Sequence, residues 1–166
     1  MNASIPAWES GHTLPTEVKQ RMIPLLNQQL ADAIDLGLQA KQAHWNVKGP
    51  QFVSLHALFD EAAELLGELA DELAERAVEL GGIADGTLQA VAPRTRLAAY
   101  DRNMLAGTDH LQAFGAALAH FARSNRAAIE TAAAAGDAAT ADLFTEASRA
   151  ADKLLWKVSA HTSAAT

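Results

Sequence analysis

At 166 residues the chain fits one domain with room for a buried core, and 49% hydrophobic content is ordinary for a globular protein. Aromatics are only 5% and cysteine is absent, which excludes disulfide frameworks, zinc–thiolate sites and thiol nucleophiles and is compatible with a reducing compartment. Twenty acidic against 13 basic residues give a formal charge of −7, which attracts cations and disfavours phosphate backbones.

The start of the chain has no basic cluster and no apolar run, so it does not read as a secretory signal. Pro6, Gly11 and Pro15 break it up, and residues 1–14 are expected to be a flexible tail before one helical-bundle domain over 15–166. A first helix is expected from about Thr16 to Asn46, with Leu25, Leu26, Leu30, Ile34, Leu36 and Leu38 in roughly helical spacing. Pro24 either kinks this helix or marks its start, and Gly49-Pro50 ends it. A second helix covers about Gln51 to Leu80 and closes at Gly81-Gly82.

A third long helix runs from about Gly107 to Ala135. A fourth begins after Asp137, a good N-cap, and reaches about Ala160. The connection from Gly81 to Leu105 is too long for a simple turn and should carry a short helix. A link of that length lets the second and third long helices run parallel. The expected fold is therefore all-α, a ferritin-like four-helix bundle with a long crossover. No run approaches the roughly 20 apolar residues needed to span a bilayer. A soluble cytoplasmic protein, not a membrane one, is the expectation.

The polar residues that carry chemistry lie on the second helix. At about 100° per residue, His56, Asp60, Asp71 and Glu75 fall within one stripe about 100° wide. His44 stands at the end of the first helix. Imidazole and carboxylate suit iron, manganese or zinc, and ligand type does not choose among them. The stripe cannot be one site, because Asp60 and Asp71 are 11 residues apart, about 16 Å along the axis. The pairs 56/75 and 60/71 nevertheless share a midpoint between residues 65 and 66. Two copies of this helix packed antiparallel across a two-fold there would bring His56 to Glu75 and Asp60 to Asp71, twice over. Structural readings compete: Glu72–Arg76 as a surface pair, His44 as a helix-end dipole contact, and His56–Asp60 as a local hydrogen bond.

The run Lys41-Gln42-Ala43-His44-Trp45-Asn46-Val47-Lys48-Gly49 resembles the signature of the Dps family, small ferritins that protect bacterial DNA in starvation. The resemblance continues through Phe52, His56, Asp60 and Asp71-Glu72-Leu73-Ala74-Glu75-Arg76-Ala77, and covers about residues 16–160. It implies a hollow homo-dodecamer built from two-fold dimers, with a ferroxidase site of His44, His56 and Asp60 from one subunit and Asp71 and Glu75 from its neighbour. Fe2+ and hydrogen peroxide are the implied substrates and an Fe3+ mineral the product, with Zn2+ or Mn2+ as competitors at the site. Trp45 would lie beside that site, either intercepting oxidising equivalents or simply packing at a helix end.

The resemblance also implies a three-fold pore admitting iron, lined by Asp137, Asp142 and Glu146. Helix capping and dipole contacts would explain the same acids without a pore. His12, His110, His120 and His161 lack such context and read as surface or core residues. An alternative function is a DNA-binding nucleoid protein that shields DNA physically. Against it, no Lys or Arg precedes Lys19 or follows Lys157.

Overall fold

A computed structural model describes residues 10–162. Among them are five helices: α1 (Thr16–Asn46), α2 (Phe52–Glu79), α3 (Leu88–Val91), α4 (Gly107–Ala134) and α5 (Ala138–Thr162). The four long helices are those expected from the sequence, and α3 is the short helix of the crossover. α1 runs through Pro24 without a break. Most of the expected tail, residues 1–9, lies outside the described residues. Residues 10–14 are anchored: Lys19 Nζ donates to the His12 carbonyl at 2.8 Å, and Leu14 packs against the core.

α1 packs along α2 and α4 along α5, and the two hairpins join chiefly through α1 and α4. The direction of each helix follows from which ends meet. Lys48, just after α1, pairs with Ala106, just before α4, through Lys48 N to Leu105 O at 2.8 Å. At the other end Arg76, near the close of α2, reaches Asp137, just before α5. So α2 and α4 start at one end of the bundle and finish at the other. The crossover must therefore climb back along its full length, which is the ferritin-like arrangement. Phe59, Phe114, Phe121 and Phe144 fill the shared core, surrounded by leucines and alanines. The many alanines let the helices approach closely while those aromatics supply bulk.

Buried polar groups hold the crossover in place. Asp32, with no exposed surface, accepts from the Arg96 backbone N–H at 2.9 Å and from Arg96 Nε at 3.0 Å. Asn27 donates to the Ile83 carbonyl at 2.8 Å and accepts from Asp85 N–H at 2.7 Å. Each bond satisfies a group whose burial would otherwise cost about 1–3 kcal/mol.

The exit from α2 requires a close approach as well as a left-handed turn. Gly81 has φ of +90°, while a Cβ on Gly82 would stand 2.6 Å from Ile23 Cγ2 and 2.9 Å from the Ala77 carbonyl oxygen. The backbone oxygen cannot rotate away as a side chain can. Gly82→Ala is expected to destabilise the protein by about 1–3 kcal/mol through this overpacking. A thermal melt at fixed protein concentration with an unchanged midpoint would contradict it.

Candidate metal centre

The end of α1 and the start of α2 lie side by side because the link between them is only residues 47–51. That brings His44 and His56 together as stacked rings with centroids 3.7 Å apart and planes at 21°. Each fixes the other. His44 Nδ1 lies 2.8 Å from the His56 carbonyl, and His56 Nδ1 lies 2.8 Å from the His44 carbonyl. A carbonyl only accepts, so both Nδ1 atoms carry the proton and both Nε2 lone pairs remain available to a metal ion.

Asp60 stands one turn beyond His56, its Oδ1 3.8 Å from His44 Nδ1. Lys41, three residues before His44, hydrogen-bonds the same oxygen. That bond lowers the Asp60 pKa from the usual carboxylate value; partial burial opposes it, and the nearby His44, Lys41 and His56 add to the lowering. The carboxylate is thus held in its ionised form and paired with the Lys41 ammonium.

Asp71 and Glu75 are not part of this cluster. Both are exposed on the second half of α2. Among the described residues no three His, Asp or Glu side chains gather as a complete metal site. A surface hollow of about 450 Å³ borders Glu75, Val78, Glu79 and Ala84, and Val78 and Ile83 are each about two-fifths exposed. Trp45 is also exposed, at 63%. Around the middle of α2, open space lies above Gly67, while Ala63, Ala70 and Ala74 are half-buried. These small residues were not singled out from the sequence; Gly67 and Ala74 fall on the stripe that carries the candidate ligands, and Ala63 and Ala70 lie along its edge.

The second acidic set separates into two kinds. Asp137 is 2% exposed and caps α5, accepting from Thr140 N–H at 3.0 Å and from the Thr140 hydroxyl. It also accepts from Arg76 Nη2 at 3.0 Å, while Arg76 Nε donates to Thr140 Oγ1 at 3.0 Å and Nη1 to Glu79 at 3.0 Å. Burial raises the Asp137 pKa, but the Thr140 and Arg76 bonds outweigh it and leave it below the usual value. Arg76 therefore pairs with Asp137 and Glu79, not with Glu72 as the surface-pair reading had it. Asp142 and Glu146 are exposed. Burial raises the Glu72 carboxyl, and repulsion from Glu146, Glu68, Asp71 and Glu75 raises it further. Four of these acids belong to α2 itself; what the sequence did not show is that Glu146 of α5 comes close enough to add to them.

The remaining histidines are diverse. His110 is buried against Phe59, its Nδ1 2.8 Å from the Tyr100 hydroxyl, and burial lowers its pKa. His12 Nε2 lies 3.4 Å from Arg76 Nη1, and His161 Nδ1 bonds the Lys157 carbonyl. Trp45 is not packed at the helix end within one chain, so the packing explanation needs a second molecule to cover it.

Comparison with known proteins places this geometry in context. Residues 23–165 match the ferritin-like domain. The chain is 47% identical over 148 residues to the DNA protection during starvation protein of Agrobacterium fabrum, covering 89% of this chain and 91% of that one. Its fold superposes on Dps from Mycobacterium smegmatis with TM-score 0.90 at 30% identity, covering 95% of each chain. It also superposes on Dps from Vibrio cholerae, described as a member of a broad superfamily of ferritin-like diiron-carboxylate proteins. That match has TM-score 0.87 at 25% identity, covering 94% of this chain and 99% of the other.

Proposed function

Because the chain belongs to the Dps family of ferritin-like proteins, we propose that it is a ferroxidase and iron store whose catalytic sites are completed between subunits. The observation that carries this is the division of α2. His44, His56 and Asp60 converge at its first turns, while Asp71 and Glu75 stand alone on the same stripe farther along. An antiparallel neighbour turns two incomplete sets into two complete ones. Gly67 and the flanking alanines suit close approach of two α2 helices, and exposed Trp45, Val78 and Ile83 supply apolar surface for a partner to cover. A homo-dodecamer built from such dimers, enclosing an iron mineral, is the assembly proposed.

Iron is substrate and cargo here. The two Nε2 atoms and Asp60 hold ferrous iron from one side, Asp71 and Glu75 of the neighbouring copy from the other. Two ferrous ions each give one electron to one hydrogen peroxide, which takes up two protons and leaves as two waters, so no hydroxyl radical is released. Ferric iron then hydrolyses inside the shell. Oxygen is the slower oxidant, and Zn2+ or Mn2+ competes for the same nitrogen and carboxylate donors. Asp142 and Glu146 line the path of admission. Asp137, held by Arg76, sets the start of α5 on which they stand.

The test is direct. Anaerobic protein is loaded with ferrous iron, peroxide is added, and ferric absorbance is followed for wild type and for Asp71→Ala with Glu75→Ala. Equal fast oxidation in both would overturn the site assignment.

Lys41 sharpens the reading. It must yield Asp60 before iron can use that oxygen. An exposed Lys–Asp pair is worth about 0–1 kcal/mol, so Lys41→Met should tighten Zn2+ binding by up to roughly fivefold in calorimetry. Unchanged or weaker binding would mean that the lysine does not compete.

The relatives' name raises DNA as a second partner. The ends of this chain lack the cations that release counterions from DNA. No gel retardation of plasmid is expected at low salt without added metal, and strong retardation would contradict the argument.

A further inference from the structure

Tyr100 is the only tyrosine in the chain. It lies late in the crossover, half-buried against the core. Among the described residues its hydroxyl meets one polar atom, His110 Nδ1 in the first turn of α4, at 2.8 Å. The two rings are stacked, with centroids 6.0 Å apart and planes within 18° of parallel. His110 is 1% exposed, and its Nε2 is buried with no hydrogen-bond partner among the described residues. Whichever way the Tyr100–His110 bond runs, Nε2 is unmatched; only a phenol donating to Nδ1 also satisfies the phenol hydrogen. The pair is therefore a phenol bonded to the lone pair of a buried imidazole.

Burial raises the Tyr100 pKa well above its usual value, and burial lowers that of His110 against the pull of Asp109 and the Met104 backbone. At neutral pH both groups are uncharged. A neutral phenol gives up an electron far more readily when its proton leaves at the same time, and Nδ1 is a base within transfer distance. The pair also stands close to the candidate ligands. Phe59 packs edge-on to His110 with centroids 6.1 Å apart, and it immediately precedes Asp60 on α2.

Reducing peroxide to water takes two electrons, and one ferrous ion supplies only one. A lone ferrous ion therefore leaves hydroxide and a hydroxyl radical. We propose that Tyr100 donates one electron to hydroxyl radical formed at the metal centre, with His110 taking the phenolic proton. The step balances: the radical becomes hydroxide, Tyr100 becomes a neutral tyrosyl radical, and His110 becomes an imidazolium. That imidazolium is buried with its Nε2–H unmatched, which favours return of the proton. A second ferrous ion then gives its electron to the tyrosyl radical, His110 gives back the proton, and the phenol is restored. The inference rests on the ferroxidase reading for the source of the oxidant; the donor–base pair itself does not.

The test uses the full-length assembled protein, loaded anaerobically with less than one ferrous ion per site and mixed with hydrogen peroxide. Rapid-freeze electron paramagnetic resonance and ferric absorbance are read on the same samples. A tyrosyl signal is expected, narrowed when the protein carries ring-deuterated tyrosine. It should be absent in Tyr100→Phe, where spin-trapped hydroxyl radical should rise. His110→Gln keeps a hydrogen-bond acceptor for the phenol but no base, so the radical yield should fall about tenfold or more, with assembly size unchanged by light scattering. Rapid ferric formation without a tyrosyl signal in wild type would overturn the proposal and leave the ferroxidase reading standing. A wild-type yield in His110→Gln would show that the bond is only a structural pin, and would overturn it too. Slow ferric formation counts against the ferroxidase reading instead, and the pair is then decided on iron-free protein with azide radicals from pulse radiolysis. Tyrosyl absorbance that forms in wild type and more slowly in His110→Gln supports the pair; none in wild type, or equal rates in both, overturns it.

Discussion

A mixture of two inactive variants is expected to regain activity. The first variant carries His44→Ala, His56→Ala and Asp60→Ala; the second carries Asp71→Ala and Glu75→Ala. Loss of even supporting groups around a metal commonly costs 10–100-fold, so each variant alone should lose on the order of 100-fold or more in peroxide-driven oxidation. When the two are unfolded together and reassembled, half of the two-fold dimers are mixed. In a mixed dimer one site takes His44, His56 and Asp60 from the second variant and Asp71 and Glu75 from the first, and is intact. The other site lacks every ligand. Recovery should therefore approach roughly one quarter of the wild-type rate for random pairing across a two-fold. A site within one chain gives no recovery at all, because no chain in the mixture is complete. Absence of rescue with normal shell size would rule out a shared site, and the size of the rescue counts the mixed dimers.

The sequence carries that experiment further than it carries the rest of the molecule, for physical reasons. Helix bounds follow from local signals: Gly49-Pro50, Gly81-Gly82 and the Asp137 cap each begin within three residues of the helix end they mark. The length of the crossover led to the parallel arrangement of α2 and α4. His56 and Asp60 lie one turn apart on one helix, so their proximity is a matter of α-helical geometry. The stacked His44–His56 pair needed only a short link between two helices.

What was not legible depends on chain segments distant in sequence. Asp32 meets Arg96 64 residues later, and Arg76 meets Thr140 across the same interval. No periodicity announces such pairs. The sequence offered Glu72 to Arg76 as an i,i+4 partner, and that proximity is real on an isolated helix. In the folded chain the long guanidinium extends toward the end of α2, where Asp137 is buried and charged. A buried carboxylate with unfilled acceptors is a stronger partner than an exposed one. Glu72 is left without that cation, and burial first, then repulsion from Glu146 and its other acidic neighbours, raises its pKa. Lys41 shows the same limit more locally: it falls within the quoted signature, but its contact with Asp60 crosses from α1 to α2.

The Arg76–Asp137 contact makes the start of α5 sensitive to acid, and the sign can be worked out. Asp137 has a folded-state pKa below the usual carboxylate value of 3.8, since its Thr140 and Arg76 bonds overcome the opposing effect of burial. Its contribution to stability is therefore complete above that usual value. It is lost as pH falls through the lower folded-state value, where the carboxyl finally takes up a proton. Asp137→Ala removes the α5 cap and leaves Arg76 largely buried, with a side chain only 12% exposed, beside an empty position. Breaking one side of a buried pair costs about 3–5 kcal/mol. At neutral pH the variant should melt well below wild type. Toward pH 2 the difference should narrow, because wild type loses the same carboxylate by protonation. A gap that stays constant between pH 7 and pH 2, measured by thermal melts at one protein concentration, would show that the carboxylate's charge contributes nothing and that only the lost cap matters. Arg76→Met separates the two remaining causes. It leaves the Thr140 cap in place, so a loss smaller than that of Asp137→Ala, with a weaker dependence on pH, is the expected result.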